Sequence, residues 1–364
     1  MTSAHPLKVA VIGAGAFGRN HLRVYKELQE AGEPVQLSAI VEPSATVAAE
    51  SSAKFGVPAF ASIEECLAAL PHLDAASVCV PTVHHRAAAE KLIAAGLDVL
   101  IEKPLAPSLE DADAILALAG LHQRIVQVGH LERFNPAVTA ARRYLNHPMF
   151  FESHRLSVFT PRSLDVDVVL DLMIHDLDIV LSLVDSPVAE VRAVGLPVLS
   201  PKVDIANVRV EFEDGCVANF TASRVSTERV RKLRFFQPHQ YLSIDFARQD
   251  LLMIDVTAAA GMDPAKLAAM AQMLQATQQL QATQQLNAAQ PTPSGQHPST
   301  GLSLSKVPVE PGEPLLLEIA SFLEAVRHRS TPVVSGEAGR AALKLALEIN
   351  TAIQNHAHRT GLRI

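Results

Sequence analysis

The chain is predicted to be α/β, with a doubly wound parallel sheet over residues 1–128 and a second, α+β domain with a meandering, mostly antiparallel sheet over 129–364. Three observations lead there. From Lys8 to Val128, apolar strand-like runs alternate with helical patterns, as parallel strands joined by crossover helices require. Beyond Phe150, strand-like runs follow one another directly, and Asp214-Gly215 between two of them is a hairpin signal. A glycine-rich turn also joins the first strand to the first helix.

The elements follow in order. Lys8–Ile12 is a short apolar run of the kind buried in parallel sheets. A helical pattern runs from Gly18 to about Gln29, and Val35–Glu42 reads as a strand ending in an acid. Ala75–Val80, Asp98–Ile101 and Ile125–Val128 are further strands; His84–Ala95, closed by Gly96, and Ser108–Ala119 are helices. In the turn Gly13-Ala14-Gly15-Ala16-Phe17-Gly18, Gly13 permits the tight bend. Gly15 lets a pyrophosphate approach the backbone, and Gly18 permits close helix–strand packing. The following helix start presents free N–H groups and a positive dipole end to phosphate. Glu42 stands 24 residues past Gly18, suited to both ribose hydroxyls and repellent to a 2′-phosphate. A dinucleotide-binding Rossmann domain is therefore expected, with NAD favoured over NADP.

Ligands of such sheets bind beyond the carboxyl ends of the strands. Two clusters fall there, Pro81-Thr82-Val83-His84-His85 and Glu102-Lys103-Pro104. Lys103 follows an apolar strand, and Pro104 restricts it to an extended backbone. An ammonium at that place is suited to a substrate oxygen; the competing reading is a surface lysine paired with Glu102.

Composition narrows the function. The net charge is −7 and there is no block of Lys or Arg, which argues against nucleic acid as a partner. No signal-peptide pattern and no apolar run of about 18 residues is present, so a cytoplasmic protein with no membrane partner is expected. Cys66, Cys79 and Cys216 are widely spaced and odd in number; they read as buried thiols, and no metal site follows from them.

In the second domain, Phe134–Leu145 reads as a linking helix. The strands are Phe150–Val158, Val188–Leu199, Ile205–Phe212, Cys216–Ser223, Leu233–Phe236, Tyr241–Phe246 and Asp250–Val256. An insertion of about 264–305 interrupts this pattern. Residues 267–305 carry no charged side chain and repeat LQATQQ at 274–279 and 280–285. A helix over Pro264–Ala289 and a linker over 290–301 are expected. Helices over Leu315–Arg327 and Gly336–Ala352 pack back on the core.

One helix stands out. Leu170–Leu183, LDLMIHDLDIVLSL, is apolar and unbroken, yet holds Asp171, His175, Asp176 and Asp178. Residues three or four apart share a face, so Asp171, His175 and Asp178 form one polar stripe. Buried charge is costly unless it is paired or used.

GAGAFG, VPTVHH, IEKPL, VGHLERFNP and DLMIHDLD, in this order and spacing, resemble the glucose–fructose oxidoreductase and inositol dehydrogenase family over most of the chain, the insertion excepted. The resemblance implies an open second sheet whose exposed face mediates homo-oligomer formation. It implies that Lys103 lines the site beside the nicotinamide, that Asp171 and His175 face it from the second domain, and that His85 lies near the cofactor. The segments GHLERFNPAV and DVDVVLDLMIHDLD resemble members that oxidise the 3-hydroxyl of UDP-N-acetylglucosamine, whose keto product goes to an aminotransferase. Other sugars, uronate sugar nucleotides and polyols remain as alternative substrates, and a non-catalytic cofactor-sensing regulator as a different class.

On this reading His175 suits the base that takes the hydroxyl proton, and Lys103 orients the hydroxyl and stabilises the developing alkoxide. Which of the two takes the proton is open. Asp171 holds the imidazole or a sugar hydroxyl. Asp178 is read as a structural carboxylate tying domain to domain, and Asp176 as solvated or capping. Arg133, Asn135, Arg155 and Arg162 are candidates for the substrate side, because a diphosphate suits the guanidinium fork.

Overall fold

The computed structural model describes residues 5–160, 166–255 and 303–362, with 263, 265, 269 and 272 between them. Apart from residues 265, 269 and 272, which are helical, the expected helix and linker of the insertion lie outside the described residues, as does Arg162.

The first sheet is wholly parallel. Its strands β1 (Leu7–Ile12), β2 (Val35–Val41), β3 (Ala59–Phe60), β4 (Ala75–Val78), β5 (Asp98–Glu102) and β6 (Val126–Gly129) lie in the order β3-β2-β1-β4-β5-β6. The crossovers are α1 (Ala16–Glu30), α2 (Ala45–Phe55), α3 (Ile63–Ala69), α4 (His85–Ala94) and α5 (Leu109–His122). The order reverses between β1 and β4, the switch point at which such folds take ligands. β1, β4 and β5 are buried almost throughout, which is why they read as continuous apolar runs rather than alternating ones.

The linking helix is shorter than expected. α6 spans Pro136–Ala141 and passes into a 3₁₀ turn at Arg142–Tyr144. The second sheet then collects β7 (Phe150–Leu156), β8 (Val188–Leu196), β9 (Ile205–Phe212), β10 (Val217–Ser223), β11 (Val230–Gln237), β12 (Gln240–Asp245), β13 (Asp250–Asp255) and β14 (Ser303–Val307). Their order is β14-β13-β12-β11-β7-β10-β9-β8. All neighbours are antiparallel except β7 and β10, because α7 (Ile174–Leu181) and two strands intervene between them in sequence. α7 fills one face of this sheet, packing Ile174, Leu177 and Val180 against Phe151, Val208 and Phe220.

The chain ends with α8 (Pro314–His328) and α9 (Gly336–Thr360). α8 returns to the first sheet, and α9 lies between the two cores, with Leu343 in the first and Leu345, Ile349 and Ile353 in the second. Leu315, Ile319, Phe322 and Leu323 of α8 join one core with Val9, Leu22, Tyr25 and Leu100. Gly336 and Gly339 of α9 let the helix lie on Val126 and Val128 of β6, since a Cβ on Gly339 would fall 2.4 Å from Val128. The first sheet ends at Gly129, yet its core is completed by residues of α8. The apolar stripe of α8 matches the open flank of β1 and α1.

Candidate active site

The glycine turn has the features of a phosphate cradle. Gly13 adopts φ +91°, and a Cβ there would lie 2.8 Å from the Cys79 carbonyl oxygen. A Cβ on Gly18 would lie 1.9 Å from the Gly13 oxygen, so the loop closes only with glycine at both places. A Cβ on Gly15 meets nothing within 4 Å, leaving open space in front of the backbone. α1 begins at Ala16 with no side-chain cap and no acid in its first turn, so its leading N–H groups are available to an anion. Phe17 is exposed beside them. Glu42, just past β2, accepts hydrogen bonds from the Ala14 and Ser44 backbone N–H groups, each at 2.9 Å. These residues fit a dinucleotide: free donors for the diphosphate, a carboxylate at the ribose position, and a glycine where the backbone must be bare.

Lys103 leaves the carboxyl end of β5, and its bond to Pro104 is cis. Glu102 beside it is buried and accepts from His21 Nε2 at 2.9 Å. Neighbouring Gly129 makes room for that carboxylate, because a Cβ there would lie 2.9 Å from it. His85 is also buried; its Nδ1 lies 3.0 Å from the Pro104 carbonyl and its Nε2 3.0 Å from that of Val80. The ring thus ties the end of β4 to the Lys103 loop rather than pointing into the crevice. Pro81 is exposed and Thr82 half-buried, just beyond the end of β4.

The polar stripe meets Lys103 from the other side. Val169–Met173 is a π turn, with α7 beginning only at Ile174, so the unbroken helix read from sequence is interrupted. The wider turn presents the Asp171 carbonyl, which accepts a hydrogen bond from Lys103 Nζ at 2.7 Å, with the Asp171 carboxylate at 3.7 Å. π turns of this sort concentrate at functional sites. His175 follows one turn later, its ring edge-on to that of His130 at 6.2 Å. Among the described residues, buried His175 Nδ1 and both nitrogens of His130 have no hydrogen-bond partner.

Charge is arranged accordingly. Burial pushes the Lys103 ammonium below its ordinary pKa, against the pull of Asp171 and Glu102. Burial, then the positive charges of Lys103 and Arg155, hold His175 well below an ordinary histidine. The site thus pairs a cation with a neutral imidazole. His130 is also kept neutral, chiefly by burial.

Three candidates for the substrate side, Arg133, Asn135 and Arg155, are engaged internally. Arg133 forms a bidentate pair with Asp178 at 2.6 and 2.8 Å, so Asp178 is indeed a structural carboxylate, joining the segment after β6 to α7. Arg155 engages Asp176 at 2.7 and 2.9 Å and Glu132 at 2.9 Å. Asp176 is therefore neither solvated nor capping: it is 2% exposed, and the strand that supplies its partner is too distant in sequence for helical spacing to reveal it. Asn135 caps α6, accepting from Ala137 N–H, and donates to the Phe246 carbonyl. Missed in sequence were His130, Glu318 and Arg231. The first stood in plain sight in VGHLERFNP; the other two are placed only by tertiary packing.

Comparison with known proteins agrees with this geometry. Residues 7–130 match the model of an oxidoreductase family with an NAD-binding Rossmann fold, and 137–237 match the C-terminal domain model of the same family. The UDP-N-acetylglucosamine 3-dehydrogenase of Acidithiobacillus ferrooxidans is 32% identical over 97% of this chain and 99% of its own length. Its solved structure superposes with a TM-score of 0.80, covering 97% of this chain and 99% of that one. The inositol 2-dehydrogenase of Leifsonia xyli is 33% identical over 53% of this chain and 58% of its own. An Agrobacterium radiobacter oxidoreductase solved with NAD⁺, L-tartaric acid and magnesium shares the fold at 16% identity and TM-score 0.75, over 96% and 97% of the two chains. With its glycine cradle, its Lys103–Asp171 contact and both family domains in place, the chain belongs to the Gfo/Idh/MocA family of oxidoreductases.

Proposed function

We propose that this protein oxidises a secondary hydroxyl of a sugar nucleotide to a ketone, the substrate being UDP-N-acetylglucosamine and the hydroxyl that at carbon 3, with NAD as the preferred oxidant. The observation that carries the reaction is the meeting of Lys103 with the Asp171 carbonyl, one turn from His175. The substrate rests on similarity to the Acidithiobacillus enzyme over nearly the whole of both chains. A bound nicotinamide supplies the hydride acceptor. The protein supplies the rest. Lys103 holds the substrate oxygen and stabilises its negative charge as the proton leaves. His175, neutral at working pH, takes that proton. Asp171 fixes Lys103 through its carbonyl, and the Arg133–Asp178 pair holds α7 against the first body.

Glu42 supports NAD over NADP, since its carboxylate beside the Ala14 N–H repels a 2′-phosphate. Oxidation of a free polyol is the second reading, favoured by the similarity to inositol 2-dehydrogenase. A keto sugar nucleotide is the kind of product an aminotransferase consumes, and both NAD and UDP-sugars suit a cytoplasmic setting. The aromatic outer face of the second sheet, where Phe150, Phe236 and Tyr241 stack at 5.5 and 4.9 Å, supports a homo-oligomer.

The test is a panel of UDP-sugars and free polyols, each with NAD and NADP, followed by absorbance of the reduced cofactor. Lys103→Ala and His175→Ala are expected to lose roughly 10²-fold or more in turnover with dinucleotide binding retained. Near-normal turnover in both variants, or turnover of polyols with none of UDP-sugars, would remove the corresponding half of the proposal.

A further inference from the structure

We infer that Arg231 is a substrate-recognising residue, the cation that receives the diphosphate of a nucleotide-linked substrate. This rests on the sugar-nucleotide reading above and adds a specific contact to it. Along β11, side chains alternate between the two sheet faces. Leu233 and Phe235 are buried on the inner face, and Phe235 stacks on Phe151 of β7 at 5.4 Å. Arg231 has the same parity, so it too lies on the inner face, yet its side chain is 43% exposed. Its side chain reaches solvent, whereas Leu233 and Phe235 on the same face are covered.

Its partner in the ladder is Arg155. Two guanidinium groups directly opposite each other repel, and nothing in the packing of the sheet requires a second one. Arg155 is already neutralised by Asp176 and Glu132. Arg231 has only the same Glu132 oxygen, at 3.9 Å, beyond hydrogen-bond distance. Glu132 itself binds Arg155 at 2.9 Å and Asn135 at 3.3 Å. No hydrogen bond from the Arg231 guanidinium is found among the described residues, whereas those of Arg133 and Arg155 are fully engaged. Arg229, two residues earlier and exposed, adds a second positive charge on the same side.

Position gives the charge a use. The sequence of contacts runs Arg231, Glu132, Arg155, Asp176, and Asp176 adjoins His175 in the chain. The positive field of Arg231 reaches His175. A substrate with its reacting hydroxyl between Lys103 and His175 therefore extends toward an unspent guanidinium. That fork binds two phosphate oxygens at once. A neutral polyol has no group that needs it.

The experiment uses the full-length enzyme with UDP-N-acetylglucosamine and NAD. Arg231→Gln is expected to raise the KM for the sugar nucleotide by about 10- to 100-fold, the range for a hydrogen bond to a charged group. Its kcat and KM for NAD should stay within about threefold. Arg231→Lys, which keeps the charge and loses the fork, should recover part of the affinity and also serves if the glutamine variant folds poorly. Calorimetric titration with UDP alone should show the same order of affinities. An unchanged KM in both variants, or a loss confined to kcat, overturns the inference while leaving the sugar-nucleotide reading intact. If the wild-type enzyme turns over polyols and binds neither UDP nor any UDP-sugar, the reading and the inference fall together.

Discussion

At the scale of single residues, the site depends on charges that are held apart from their ordinary states. Burial, then the charges of Lys103 and Arg155, hold His175 well below its ordinary value, and burial lowers Lys103 against the pull of Asp171 and Glu102. The consequence for the pH profile depends on which group takes the proton. A base works in its neutral form, so if it is His175, kcat/KM falls as pH drops through a value well below 6.5, the ordinary position. The rate falls again as pH rises through a value below 10.5, where Lys103 loses its charge. A rate that instead climbs through the alkaline range assigns the base to Lys103, and an acid limb at or above 6.5 contradicts the burial of His175. Lys103 was legible in the sequence because an apolar strand, an acid and a proline frame it. Arg231 was not: whether it faces the crevice depends on its register with Arg155, a pairing across 76 positions of the chain.

Among the elements, α7 and α8 hold what local pattern could not show. The periodicity of Leu170–Leu183 marks a helix and a polar stripe, but not the π turn that turns the Asp171 carbonyl toward Lys103. It also left Asp176 without a partner, when Arg155 waits on the strand beneath. Removing Arg155 would strand two buried carboxylates, a loss of about 3–5 kcal/mol. α8 carries a buried acid into the first core. Neither carboxyl oxygen of Glu318 has a hydrogen-bond partner among the described residues, and burial, then Glu102 and Asp178, hold its pKa well above the ordinary 4.5. The folded chain therefore keeps a proton that the unfolded chain releases, so Glu318 erodes stability as pH rises above 4.5 toward its folded pKa. Glu318→Gln is expected to gain stability over wild type at pH 8 and to gain less at pH 5. Urea melts at the two pH values measure it, and an equal gain or loss at both would show that Glu318 does not hold that proton.

For the whole molecule, the decisive fact is that the chain closes on itself. α8 covers Val9, Leu22, Tyr25 and Leu100, and the strand-like pairing of Val334 and Ser335 with Val128 and Gln127 extends the edge of β6. A fragment ending at residue 130 would expose that core. It is expected to lack a cooperative thermal transition, and adding residues 314–362 in the same chain through a linker should restore one; a sharply melting short fragment would show the closure to be dispensable. The sequence by itself determined the two sheets, the glycine cradle, Lys103 and the Asp171–His175 stripe. Each is written in short-range form: a period of two or 3.6, a turn that only glycine allows, or a charge at the end of an apolar strand. Only the tertiary structure decided which arginines are buried in ion pairs, where Asp176 and Glu318 find themselves, and that α8 joins the first core. Those outcomes depend on strand register and on which apolar stripe meets which open flank, and both are set by contacts between residues far apart in the chain.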